Sequence, residues 1–432
     1  MRVLEFILAA GVILLLNIPM LQAPLHYHIW RYVGPLGAAW VLVAAMNGDR
    51  RIGPLFAARK PGLALYVLWS FVFLGYEAVF SGNMELICGT ESQQRVLNWI
   101  GITLCYAIGI VHSCEVDNRR LATLRNLFLL GLGVNAILCI PAELSDDLVV
   151  RQFINAYQFE DMIRPNLWSY ALGDLGVYCA MALALPVAVS LSVGSRTRQG
   201  KILGAVTGLA LLGCILLSSL LMVILAALLG ILIVCFLGVS RRGRGRMRIA
   251  LLLLMALIGA AVFFESDLQA VRYPREKFMS ILRVGEVEDK AGMRVGRRMD
   301  RYQESWDVLV RNPVLGIAQL PPATLAGEDH ALGGHSSLLD GFAIYGLLFL
   351  PFPLFIARLT SNAWRRMKQA NETSERGVEV ALLGAYILIL IFDPVTLNMR
   401  TSGTFLFLLG TSAPRIALGG WGKERRRLVA GA

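Results

Sequence analysis

The sequence predicts an all-α, polytopic integral membrane protein with about twelve transmembrane helices and one long outer loop between helices nine and ten. Three observations lead there. Of the 432 residues, 56% are hydrophobic and only 16% carry a charge, against about a quarter charged in an ordinary soluble chain. Apolar runs recur along the whole length with short polar breaks. The Lys and Arg residues cluster in every second break, as the positive-inside rule requires. This composition argues against a soluble enzyme, a disordered chain or a DNA-binding domain, despite a formal net charge of +11.

The apolar runs give spans at Leu4–Met20, Ile29–Met46, Leu63–Phe80, Ile100–Ser113, Asn126–Ala142, Leu167–Val193, Ile202–Leu217, Leu220–Gly238, Ile249–Phe264, Ser337–Leu359, Val378–Asp393 and Thr404–Pro414. The first resembles a signal peptide in length but lacks a clear small-residue cleavage site, so it is read as a transmembrane helix. The apolar stretch from Ile202 to Val239 is too long for one crossing of a ~30 Å hydrocarbon core. Both its flanks are basic: Arg196, Arg198 and Lys201 before it, and Arg241, Arg242, Arg244, Arg246 and Arg248 after it. Two ends on one side require two passes and a tight turn near Ser218–Ser219. With both termini cytoplasmic, 26 of the 41 Lys and Arg residues fall inside and five in short outer segments. The other ten lie in the long loop.

The chain therefore divides into 1–264 with helices one to nine, an outer loop at 265–336 with a helical segment, and 337–432 with helices ten to twelve and a basic cytoplasmic tail. A multi-pass membrane location with both termini cytoplasmic is expected. The long loop sets its ten basic residues beside eleven acidic ones, so it is no nucleic-acid patch. Four cysteines lie in apolar runs, Cys88 in a polar loop, and neither a CxxC pair nor a Cys/His cluster occurs. Neither a metal site nor a disulfide framework is expected. No cofactor is expected either.

Within the loop, Gly296 to Pro313 reads as an amphipathic helix, with Met299, Tyr302, Trp306, Leu309 and Val310 at helical spacing. Arg294, Arg298 and Arg301 fall at i, i+4 and i+7, on one face if the helix begins early enough. Three guanidinium groups so placed suit a diphosphate held without a metal. The same spacing also allows surface ion pairs with Asp300, Glu304 and Asp307. Next comes Gly333-Gly334-His335-Ser336-Ser337, directly before the tenth span. Ser336 or Ser337 can cap that helix, and Asp340 in its first turn suits the helix dipole. His335 is then fixed at the membrane surface, with a pKa range suited to taking a proton from a sugar hydroxyl. A histidine at a helix start can equally be structural. Asp174, inside the sixth span, is a costly carboxylate that either serves the site or pairs with another span. Glu77 and Asp393 lie near span ends, within reach of water. Pro351 and Pro353 should kink the tenth span.

The block Arg298…Tyr302…Asn312-Pro313-Val314-Leu315-Gly316…Gly334-His335-Ser336-Ser337…Tyr345-Gly346-Leu347 resembles the signature of the O-antigen ligase and polymerase superfamily. That signature is an arginine, an aromatic residue four positions later, a Pro-x-x-Gly turn, and His-Asn before a helix with a Gly-Leu pair. The twelve-span layout is similar too, and Pro165-Asn166 looks like the family's Pro-Asn pair. The resemblance implies a metal-independent membrane glycosyltransferase whose donor is a glycan on undecaprenyl diphosphate. Its acceptor is a sugar of lipid A core or of a growing polysaccharide. By the same resemblance, His335 orients or deprotonates the acceptor, and Arg298 binds the donor diphosphate, with Arg294, Arg301, Asn166 and Asp174 as further substrate contacts. Two positions depart from the pattern: Leu220 stands where the family has an arginine, and Ser336 where it has asparagine. Alternative readings are a lipid-linked glycan flippase or transporter, and a catalytically inactive member acting in polysaccharide export.

Overall fold

The computed structural model describes residues 2–22, 29–47, 52–88, 91–113, 118–144, 175–195, 197–218, 220–238, 290–321, 325, 332, 336–369, 376–393 and 398–412. Among these the regular structure is entirely helical. The helices are α1 (Arg2–Asn17), α2 (Ile29–Met46), α3 (Ile52–Cys88), α4 (Ser92–Ser113), α5 (Asn118–Leu144), α6 (Leu175–Gly194), α7 (Arg198–Leu217) and α8 (Leu221–Gly238). They continue as α9 (Lys290–Arg311), α10 (Ser337–Tyr345), α11 (Pro351–Gln369), α12 (Arg376–Phe392) and α13 (Met399–Ser412). Among the described residues, five stretches are long and apolar enough to cross a membrane: Gly62–Cys88, Ser92–His112, Arg120–Ile140, Leu175–Gly194 and Arg198–Leu217. The expected ninth span at 249–264 lies outside the described residues.

The bundle is built around α6, which packs against α5, α7, α8, α12 and α13. It is buried without a break from Gly176 to Ala188, as an all-apolar helix should be when other helices surround it. Where two helices approach closely they do so through small residues. A Cβ on Gly109 of α4 would lie 2.8 Å from the Phe407 carbonyl of α13, and one on Gly410 would lie 2.9 Å from Gly109. The two passes expected from Ile202 to Gly238 are separate helices. Thr197 caps the first, Ser218 closes it, and the second starts at Leu221.

Three expectations need correction. Helix α3 does not end at Phe80: it kinks there, at φ −118 and ψ 28, and continues to Cys88, which is thus a helix end and not a loop residue. The tenth span is not one kinked rod. It is α10, a 3₁₀ turn at Gly346–Phe349 and then α11, with the two arms bent by 99°. The break between the arms falls at Leu350, directly before Pro351, which is the first residue of α11, where its missing N–H costs nothing. Gly346, at a φ of +59 that most side chains avoid, ends α10 and opens the 3₁₀ turn. Lastly, Glu77 and Asp393 are buried, not water-exposed. Glu77 is held in a two-pronged ion pair with Arg95, Nε to Oε1 at 2.7 Å and a terminal guanidinium nitrogen to Oε2 at 2.9 Å. Asp393 is folded against the start of α10.

Candidate functional site

Helix α9 begins at Lys290, early enough for Arg294, Arg298 and Arg301 to share one face. Continuing the same i+4, i+3 step from Arg301 reaches Ser305, Val308 and Asn312. Ser305 is 2% exposed and Val308 7%. The helix face that carries the three arginines thus turns inward at Ser305 and Val308. Of the apolar residues at helical spacing, Met299, Trp306 and Val310 lie elsewhere, 61%, 55% and 61% exposed, while Tyr302 and Leu309 are half-buried. In a chain with membrane-crossing helices, lipid is also an apolar solvent, so an exposed apolar stripe need not seek the core. Arg301 is half-buried, and among the described residues it makes no ion pair with Asp300, Glu304 or Asp307. The surface-pair reading fails for that arginine.

The inward face meets the start of α10. Ser336 caps α10, its Oγ accepting from the Leu339 N–H at 3.3 Å. Asp340, one turn on, answers reciprocally and accepts from the Ser336 N–H at 3.1 Å. Its other oxygen accepts from the Ser305 hydroxyl of α9 at 2.8 Å. Ser337 donates through both its N–H and its hydroxyl to the Asp393 carbonyl, at 3.2 and 2.8 Å. The α10 start is thereby held by α9 on one side and by the end of α12 on the other.

A second contact joins the same two elements. Gly316, at φ +71, and Gly346 press backbone to backbone. A Cβ on Gly346 would lie 2.5 Å from the Val314 carbonyl and 2.6 Å from the Gly316 nitrogen, and one on Gly316 would meet the Ile344 carbonyl. The Leu347 N–H donates to the Pro313 carbonyl at 2.8 Å. The Pro-x-x-Gly turn and the Gly-Leu pair, thirty residues apart in the chain (Gly316 to Gly346), are one interlocking joint. The far end of α3 supports this joint from below. Tyr76 donates to the Leu315 carbonyl, and the Asn83 amide donates to the carbonyls of Ala318 and Leu320, both at 2.8 Å.

These contacts account for the sequence block as one three-dimensional unit. Residues 180–350 match the family model described as O-antigen ligase. The match supports a relationship of this region to the O-antigen ligase superfamily. The matched region runs from within α6 through the 3₁₀ turn after α10, and so takes in the arginine helix, the glycine joint and the Ser336 cap. No curated protein matches the chain.

The expected site residues are placed unevenly. Arg294, Arg298 and Arg301 share one helix face, and of their side chains Arg301 is described. His335 directly precedes Ser336 but lies outside the described residues, as do Asn166 and Asp174. Leu220, where the family has its arginine, sits in the break between α7 and α8, its N–H donating to Ser218 Oγ at 3.4 Å. Sequence reasoning missed Ser305, Asn83 and Tyr76. Ser305 had a usable signal, being the next residue on the arginine stripe. Asn83 had a fainter one, as an amide closing an apolar run.

Proposed function

We propose that this protein is a metal-independent glycosyltransferase. It moves a glycan from undecaprenyl diphosphate to a sugar acceptor, of lipid A core or of a growing polysaccharide, at the periplasmic face of the bacterial inner membrane. The observation carrying this reading is that Arg294, Arg298 and Arg301 share the helix face that continues into the buried Ser305 and Val308. Arg298, flanked by Arg294 and Arg301, holds the donor diphosphate, and Arg301 supplies positive charge where Leu220 does not. His335 takes the acceptor hydroxyl proton as its oxygen attacks the anomeric carbon. The bond from that carbon to the diphosphate oxygen breaks, and undecaprenyl diphosphate leaves with the electron pair. The leaving group already carries the activation, so the protein's task is alignment and neutralisation of phosphate charge. Asn166 and Asp174 are proposed as further substrate contacts.

The test is glycan transfer by purified protein in proteoliposomes offered labelled undecaprenyl-diphosphate glycan and acceptor. His335→Ala should lower the rate by about 10²-fold or more, the scale of general-base catalysis. Arg298→Ala should act mainly through donor binding. Full activity in both variants sinks the mechanism, and label that crosses the bilayer without forming a glycosidic bond identifies a flippase instead.

A further inference from the structure

The geometry points to Asp340 as a positioning residue that sets the rotation of the arginine helix about its own axis. This rests on the proposed function for its consequence, but not for its geometry. The Gly316–Gly346 joint fixes only the Arg311 end of α9. A helix pinned at one end can still swing and turn, and a shift of one residue in facing rotates every side chain by about 100°. The second pin is the Ser305 hydroxyl on Asp340 Oδ1, at 2.8 Å. With Ser305 turned inward, the helix positions one, two and three steps back along the same face follow its rotation. These are Arg301, Arg298 and Arg294.

The same carboxylate receives the Ser336 N–H on Oδ2, so the residue after His335 and the arginine helix are held by one rigid group. Asp340 suits this task for three reasons. An ionised carboxylate only accepts, so both oxygens are available to donors from different elements. It is 4% exposed, so water does not compete for them. It also lies in the first turn of α10, where the helix dipole favours a negative charge. Neither Ser305 nor Asp340 needs to touch substrate.

The clamp makes a prediction separable from catalysis. Spin labels at Asp300→Cys, exposed on α9, and Leu347→Cys, exposed beyond α10, in the full-length protein with its native cysteines replaced, report the spacing of the two elements. The pair should give one narrow distance distribution. Ser305→Ala should broaden it, and Ser305→Thr, which keeps the hydroxyl, should restore it. In the transfer assay Ser305→Ala should lower kcat by up to about 10²-fold, the scale of misaligned reacting groups, with Thr again rescuing. An unchanged distribution in Ser305→Ala overturns the clamp. A broadened distribution with undiminished kcat overturns its positioning role. Absence of transfer by the unsubstituted protein refutes the enzymatic reading alone, since the distance measurement decides the clamp without it.

Discussion

At the scale of single residues, the least replaceable positions are those where backbone meets backbone. Gly346 combines a φ of +59 with a carbonyl 2.5 Å from where a Cβ would stand. Alanine there must both enter a left-handed conformation, at about 1–3 kcal/mol, and displace main chain that has no rotamer to move. Gly346→Ala should therefore lower the thermal midpoint and abolish transfer together. Gly34→Ala, with open space around its would-be Cβ, should change neither. Equal stability in the two variants would show that the joint tolerates separation. The Glu77–Arg95 pair teaches a related lesson. Sequence position suggested a hydrated carboxylate near a helix end, but its fate was decided by a residue eighteen positions later on the next helix. Nothing local to Glu77 announces Arg95.

At the scale of elements, legibility follows from what encodes each boundary. Helix α2 was predicted and observed over the same residues, Ile29–Met46, and the α7–α8 break fell at the expected serine because apolar run length and basic flanks set it directly. The facing of α9 was not legible from its apolar stripe. In a soluble protein Met299, Trp306 and Val310 would mark the core side; beside a membrane that rule loses its sign. The better guide was the polar stripe, which needed partners that only protein supplies. The bend after α10 was legible in its place, directly before Pro351, but not in its size, since the proline opens a new helix at 99° to the first. Packing between α4 and α13 gives the element-scale prediction. Gly109→Leu would force a branched side chain into space where even a Cβ lies 2.8 Å from the Phe407 carbonyl. Overpacking of this kind costs about 1–3 kcal/mol or more. Thermal unfolding in detergent should register the loss, while the surface-facing Leu130→Ala on α5 should scarcely register.

At the scale of the whole molecule, interhelix bonds constrain the number of crossings between the elements they join. Glu5 of α1 accepts from Asn47, just past α2. Asn83 near the end of α3 binds residues 318 and 320. Thr401 of α13 donates to the Gly176 carbonyl at the start of α6, at 3.2 Å. Asp393 after α12 receives the start of α10. Each bond requires its two ends to lie at the same membrane face, hence an even number of crossings between them. The proposed twelve-span order gives two, six, six and two, which is consistent with all four bonds. Six crossings between Asn83 and residue 318 are reached only if segment 249–264 also crosses, and that makes it the element to test. In intact cells freed of their outer membrane barrier, Asp300→Cys in a cysteine-free chain should react with a membrane-impermeant maleimide. Arg244→Cys should react only after the inner membrane is opened. Labelling of both from outside would mean that 249–264 does not cross. The parity of the Asn83 contact would then fail, and with the basic run at 241–248 on the same side as the arginine helix, the charge argument for orientation would fail as well. Opposite sidedness would place the arginine stripe on the face away from that basic run, where a lipid-borne diphosphate must present its glycan for the proposed transfer.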